Sequence, residues 1–318
     1  MIEMIKHGVA DALRIDKVTL TLHIKSADGQ ASVLDAMNKL VQLGHASVAN
    51  LKHYYHSIWV TLDHYGERTF LVQAGQKWQN ARFLKVEFNP STTLMGEVHT
   101  IINFVVPGGH SALIAQGNLR RVDLAVDVHG VQPAQLLVAH GGFQLSKLFA
   151  ESGQVTGYKI GSNESSRCFV VYDKRLQLKK ENANTKWKAP IPDHPLTRIE
   201  ARIRADFPAS KLATIANPFS KLMIADFGSI AADDDDTKLF VMAALGAGAQ
   251  TVLSSVSAPR RKLLKERLSK AVPTWWMPTN VWQAWPDEAN KVLTPPPAAY
   301  DLSLHKKVQP AVEAQLAH

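Results

Sequence analysis

Four stretches of the chain read as strands with one charged side, and together they dictate a sheet-rich fold. In Arg121-Val122-Asp123-Leu124-Ala125-Val126-Asp127-Val128 every second residue is apolar. Side chains of a strand point to opposite faces with period two. One face therefore presents Arg121, Asp123, Ala125 and Asp127, and the other presents Val122, Leu124, Val126 and Val128. In the second stretch, Arg198, Glu200, Arg202 and Arg204 share a face over Ile199, Ala201 and Ile203. Lys85, Glu87 and Asn89 oppose Leu84, Val86 and Phe88 in the third. The fourth, Cys168-Phe169-Val170-Val171-Tyr172-Asp173-Lys174, carries an apolar run out into Tyr-Asp-Lys. A sheet face that is basic overall yet studded with acids suits a polyanion together with a metal ion.

Composition narrows the partners. At 318 residues the chain can bury a full core, as one large domain or two. Its net charge of +8 favours a polyanionic partner, a statement about association rather than fold. No apolar run reaches the roughly 18–20 residues of a membrane span, and the first residues lack a secretory hydrophobic core. The single cysteine, Cys168, excludes a disulfide framework and a thiolate metal cluster. The expected compartment is the cytoplasm.

Periodicity orders the elements. Lys17–Ile24 alternates as a strand, and residues 31–43 carry Leu34, Met37, Leu40 and Val41 at helical spacing. Residues 57–62 and 69–73 read as a hairpin turning through Tyr65-Gly66, followed by the Lys85–Phe88 strand. Asn89-Pro90-Ser91-Thr92 then offers caps for a helix with Leu94, Val98, Ile101 and Ile102. After Gly108-Gly109 the order recurs: the Arg121–Val128 strand, a helix over 133–140 with a short one near Leu145, strands over 156–160, 167–173 and 198–204, and a helix after Pro208. Both halves read β-α-β-β-β-α, with Glu87 and Glu200 on equivalent last strands. Farther on, residues 238–253 and 259–268 read as helices, Pro259 near the start of the second, and Pro295-Pro296-Pro297 opens a loose tail. The predicted fold class is α+β: two related units with mostly antiparallel sheets, 1–107 and 110–207, forming one region over 1–207. A helical region over 208–318 follows.

Several chemistries are absent. Gly246-Ala247-Gly248 lacks the third glycine and the preceding strand of a dinucleotide cradle, and no Gly-Lys-Ser/Thr loop exists. His53 and His56 have no Cys/His partners at zinc spacing. The histidine-hydrophobic-histidine motif of one large nickase class is missing too. Asp123 and Asp127 lie four residues apart on one strand, roughly 13 Å between Cα atoms. Both cannot grip one Mg²⁺ at about 2.1 Å unless the strand bends. One of them, with Glu200 or Glu87 from a neighbouring strand, makes the better pair. The competing reading is a solvated face whose acids balance Arg121, Arg198 and Arg202. Tyr172 shares its side with Cys168 and Val170, which fits a core tyrosine. A tyrosine nucleophile also makes chemical sense there, because its product stores the phosphoryl group as an ester. Lys174 and Arg175 would then bring positive charge to the phosphorus. The segment from Lys174 to Lys188 gathers Lys174, Arg175, Lys179, Lys180, Lys186 and Lys188 around Trp187, with Glu181 as its one acid. Basic residues interleaved with an aromatic can hold phosphates and stack a base, and they also suit a solvated linker.

These residues carry a family resemblance. The order Arg121–Asp127, Gly157-Tyr158-Lys159-Ile160-Gly161-Ser162, Val171-Tyr172-Asp173-Lys174 and Thr197-Arg198-Ile199-Glu200 resembles bacterial rolling-circle replication initiators. It is most similar to the filamentous-phage initiator group and more distantly similar to trans-acting plasmid initiators. Val86-Glu87-Phe88-Asn89-Pro90-Ser91 and the Met1-Ile2-Glu3-Met4 start are similar as well, and the likeness spans roughly residues 80–215. It implies an endonuclease that nicks and recloses origin DNA of a phage or plasmid. Tyr172 would link to the 5′ phosphate and leave a 3′-hydroxyl primer. Lys174 and Arg198 would assist, and Asp123, Asp127 and Glu200 would hold Mg²⁺ or Mn²⁺. Arg121, Arg175, Lys179, Lys180, Lys186, Trp187, Lys188, Arg202 and Arg204 would bind the nucleic acid. Implied partners are origin DNA and a host helicase and DNA polymerase; a homodimer is compatible with the reading, and no membrane is involved. One departure stands out: the family often places a glutamate soon after Tyr-Asp-Lys, where this chain has Gln177 and no acid until Glu181. That shifts weight onto Asp173 or Glu200. A non-enzymatic origin-binding or regulatory protein on the same scaffold is the alternative, and a single-stranded nucleic-acid-binding module is a third class.

Overall fold

A computed structural model of the chain describes residues 8–61, 68–77, 81–143, 146–184, 188–230 and 234–295. The fold is mixed α+β, an extensive antiparallel sheet core followed by several C-terminal helices, as the alternating stretches imply. The short strand β1 (Val9–Ala10) comes first. Then follow β2 (Arg14–His23), α1 (Ala27–Gln42), β3 (Ala46–Val48), β4 (Tyr54–Thr61), β5 (Arg68–Gln76), β6 (Ala81–Phe88), α2 (Met95–Val105) and α3 (Gly109–Gln116). The second half runs β7 (Asn118–His129), β8 (Leu136–His140), β9 (Ser146–Glu151), β10 (Gln154–Ile160), β11 (Arg167–Asp173), α4 (Lys174–Asn184), β12 (Leu196–Pro208) and β13 (Leu222–Asp226). The C-terminal helices are α5 (Asp235–Ala247), α6 (Ala249–Ser255), α7 (Ala258–Lys270), α8 (Pro278–Trp282) and α9 (Trp285–Leu293).

The chain forms two compact units interleaved in sequence. An N-terminal unit takes residues 16–120, 206–213 and 289–318. A central unit takes 1–15, 121–205 and 214–288. The N-terminal unit orders its strands β3-β4-β5-β6-β2, and the central unit orders its strands β9-β10-β11-β12-β7, with β1 pairing β7. Each is a four-strand antiparallel meander whose last strand lies beside the first strand of the unit. The strand orders of the two units correspond, while the second half lacks the helix expected after its first strand.

Apolar parity fills each core. In β7, Val122, Leu124, Val126 and Val128 are all fully buried. Burying each such side chain stabilises the fold by about 1.5–3 kcal/mol before entropy is counted. In β12, Ile199 and Ala201 do the same. α1 begins at Ser26, whose hydroxyl accepts from the Gly29 amide at 3.0 Å, and it buries Val33, Met37 and Leu40.

The expected helix over 133–140 is instead a short 3₁₀ turn (Pro133–Gln135) leading into β8. Leu136, Leu137, Val138 and Ala139 are buried on both sides, and β8 pairs with β13. A strand covered on both faces reads as a continuous apolar run, which periodicity cannot tell from a buried helix. α5, α6 and α7 pack Phe240, Ala244, Leu253, Leu264 and Leu268 against Leu137, Ala139 and Ala225 of those strands. The helix expected over 238–253 is two, separated at Gly248, whose φ of 83° favours glycine. After Pro208 the chain makes a 3₁₀ helix. The Tyr65-Gly66 turn, the helix near Leu145, the Met1–Met4 start and Pro296-Pro297 lie outside the described residues. Among the described residues no single helix is long and apolar enough to cross a membrane.

Candidate functional site

The charged face of the central unit is assembled by strand register. β11 sets Cys168 opposite Arg202, Val170 opposite Glu200 and Tyr172 opposite Arg198 on β12. Directly opposed residues share a face. Tyr172 therefore stands half-buried among the charges and not in the core. Alternation could not decide this, because the run from Cys168 to Val171 is apolar on both of its faces.

The acids separate into two groups. Arg121 clamps Asp123 through Nε at 2.7 Å and Nη2 at 2.6 Å, and Arg202 clamps Glu200 through Nε at 2.8 Å and Nη2 at 3.2 Å. Burial pushes the Asp123 carboxyl above the usual range; the clamp of Arg121 opposes that push, while the nearby Glu200 charge adds to it. Asp127 behaves in the opposite way. Burial alone would push its carboxyl up, but Arg198, donating at 2.6 Å and 2.9 Å, outweighs that with help from the charges of Arg14 and Lys174. Arg14 also donates to Asp127 directly. Arg14 lies 113 residues from Asp127, and no local motif announces it.

Among the described residues, no three His, Cys, Asp or Glu side chains gather in a way that could hold a metal ion. The Glu200 charge adds to the upward push on Asp123, and each of these two acids is already held by an arginine. Mg²⁺ commonly takes one or two protein carboxylates and completes its shell with water and substrate phosphate, so the pair fits the ion in donor type and number. Glu87 belongs to the N-terminal unit, bonded to Lys17 at 2.9 Å and Thr19 at 3.1 Å and paired with Lys85 at 3.2 Å. There the lysines overcome the upward push of burial and hold its carboxyl at about 2.

The basic segment after Tyr172 is helix α4 through Asn184. Asp173 starts it, its Oδ1 accepting from the Leu176 amide at 2.8 Å. Lys174 donates to Gln177 Oε1 at 3.0 Å, and Gln177 donates onward to Glu181 Oε1 at 2.7 Å. Helical spacing of three and four thus brings Glu181 into a cleft of about 420 Å³ beside Tyr172, Asp173, Leu176 and Gln177. Glu181 is the first acid after Asp173, two turns along the helix. On the other side of Tyr172 stands Gly157 of β10. A Cβ there would come within 2.5 Å of the Val171 carbonyl oxygen and 3.1 Å of the Tyr172 Cβ, so the close approach depends on glycine. Tyr158, one residue on, is buried, donates to the Leu136 carbonyl at 2.6 Å and is pushed up by burial to about 12. It is a core residue.

The other basic residues are dispersed. Lys179 and Arg204 are exposed and Arg175 is half-buried. Lys180 pairs with Glu151 at 2.6 Å, and Lys188 donates to the Asn182 carbonyl. Lys186 and Trp187 lie outside the described residues.

No protein-family model matches the sequence, and no curated protein matches it. Among solved structures the chain is similar to a rolling-circle replication initiator protein from Geobacillus stearothermophilus, with 13% identity and a TM-score of 0.37. The likeness covers 75% of this chain and 96% of that one. It is a weak, distant structural match to the initiator fold.

Proposed function

We propose that the chain is a rolling-circle-type replication initiator that nicks one DNA strand with Tyr172. The observation that supports this most is the position of Tyr172 on the charged face: opposite Arg198, over the bare backbone of Gly157 and at the mouth of the α4 cleft. In this reading the phenol oxygen bonds to the scissile phosphorus as the bond to the 3′ oxygen breaks. The phenol proton is lost and the leaving oxygen gains one. The products are a 5′-phosphotyrosine ester and a 3′-hydroxyl from which a host polymerase extends after helicase opening. Arg198 and Lys174 bring positive charge to the phosphoryl oxygens. Asp127 orients Arg198. Asp123 and Glu200 would hold Mg²⁺ or Mn²⁺, which when bound draws charge from a non-bridging oxygen.

A second reading, a non-enzymatic origin-binding protein, draws on one specific observation. The arginines that clamp Asp123 and Glu200 already satisfy both carboxylates. Nicking separates the two. Supercoiled origin DNA should be relaxed to the open circle by the wild type and left closed by Tyr172→Phe, with DNA binding within a few-fold. Undiminished nicking by the variant overturns the assignment of the nucleophile.

A further inference from the structure

At the end of the charged face away from Tyr172 lies a small pocket of about 160 Å³ that the nicking chemistry does not use. Its lining is Arg121, Arg202 and Arg204 from the sheet, Asn163 and Ser165 from the β10–β11 connection, and Cys168 from β11. Three arginines line it, and Asp123 and Glu200 take up two hydrogen bonds each from Arg121 and Arg202. Five donors sit on a guanidinium, so Arg202 keeps N–H groups beyond the two given to Glu200. The connection is braced: the Ser162 and Ser165 hydroxyls meet at 2.9 Å, and the Ser165 amide donates to Ser162 Oγ at 3.1 Å. Lys159 donates to Asn163 Oδ1 at 2.7 Å, which leaves the donor end of that amide for the pocket. No carboxylate lines the pocket.

We infer that this pocket takes a single phosphate group of a single-stranded DNA backbone and fixes the register of the strand relative to Tyr172. The inference rests on the nucleic-acid reading proposed above. The guanidiniums of Arg202 and Arg204, the Ser165 hydroxyl and the Asn163 amide N–H₂ match the acceptor-only oxygens of a phosphodiester, and arginine suits that geometry better than lysine. Cys168 and Tyr172 are four residues apart on β11, roughly 13 Å at 3.3 Å per residue. The captured phosphate is therefore not the scissile one. It lies a short run of nucleotides away.

The pocket holds its own reporter, because Cys168 is the single cysteine of the chain. It is buried, and burial pushes its thiol up, so labelling by a neutral maleimide is slow and readily blocked. The experiment follows maleimide labelling of the full chain with inorganic phosphate, with a mixed-sequence single-stranded oligonucleotide, or with chloride at the same ionic strength. Oligonucleotide anisotropy is recorded in parallel. Phosphate and oligonucleotide should each slow labelling several-fold relative to chloride, and Arg204→Ala and Ser165→Ala should remove that protection. Arg204→Ala should also lower the salt slope of oligonucleotide binding by about 0.7, one single-strand phosphate contact. Oligonucleotide that binds without slowing the label, at a salt slope unchanged by Arg204→Ala, overturns the pocket and leaves the nucleic-acid reading intact. Protection by phosphate without any oligonucleotide binding keeps an anion pocket and removes the nucleic-acid reading.

Discussion

The two units build the same strand order and arm it differently. On β6 of the N-terminal unit, Glu87 lies opposite Leu71 and Lys85 opposite Gln73, and Gln73 in turn lies opposite Ser57. On β12 of the central unit, Glu200 lies opposite Val170 and Arg198 opposite Tyr172, which lies opposite Gly157. Position for position, glutamine replaces tyrosine and serine replaces glycine. Gln73 spends its amide on Ser57 at 3.1 Å and on Lys85 at 3.0 Å, while Tyr172 faces a cleft. The acids follow suit: lysines hold Glu87 at about 2, whereas Asp123 is pushed upward by burial beside Glu200. One face has settled its charges within the fold. The other buries Asp123 deeply enough to push its carboxyl upward despite the Arg121 clamp, the kind of perturbation that gathers at functional sites.

The largest contrast lies in catalysis. Asp123→Asn and Glu200→Gln should lose nicking in Mg²⁺ while Glu87→Gln retains it, and EDTA should silence the wild type. Equal loss in all three variants, or full activity in EDTA, breaks the comparison. Next comes Gly157→Ser, which imports the residue of the other unit. Its side chain meets the Val171 carbonyl, so strand β10 must shift, lowering stability by about 1–3 kcal/mol and nicking by more than DNA binding. Urea unfolding beside a nicking assay checks both.

A third contrast concerns pH. The Glu87 carboxyl is lowered from 4.5 to about 2, so its stabilisation is present above pH 4.5 and is lost as pH falls toward 2. Glu87→Gln should therefore destabilise the chain by on the order of 2 kcal/mol at pH 7, and the gap to the wild type should close near pH 2. Asp123 has the opposite sign. Raised in the folded state, it costs stability as pH rises from the unfolded carboxyl range through its folded value, so the gap between Asp123→Asn and the wild type should move in the variant's favour as pH rises toward 7. A matched loss in both variants would mean that the two faces are equivalent after all.

The smallest effect is expected from the lysines. Replacing Lys179, Lys180, Lys186 and Lys188 together by alanine should flatten the salt dependence of duplex binding by up to roughly 0.9 for each phosphate contact. Lys180 already pairs with Glu151, so the drop should fall short of four contacts. An unchanged slope would leave DNA binding to the strand face.

Strand alternation made β2, β6, β7 and β12 legible because each keeps polar residues on one parity and apolar residues on the other, although in β7 and β12 the polar parity is itself buried. β8 was not legible, since its residues are apolar on both parities. The charged face could be read in part. Arg121, Asp123, Asp127, Arg198 and Glu200 each fall on the polar parity of their own strand. The division of the acids into Asp123–Glu200 and Asp127–Arg198–Arg14 depends on long-range pairing that no local pattern encodes. Tyr172 sat in an apolar run that left its side undecided until β12 fixed the register. Glu181 required knowing that residues 174–184 are helical.

The central claim is that Tyr172 is the nucleophile. Trapping the reaction on single-stranded origin DNA, digesting the protein and mapping the adduct by mass spectrometry tests it directly. The account predicts a nucleotide attached through a phosphodiester to the peptide containing Tyr172, and none on the peptide containing Tyr158. Cleavage without any covalent adduct, or an adduct on another residue, contradicts it.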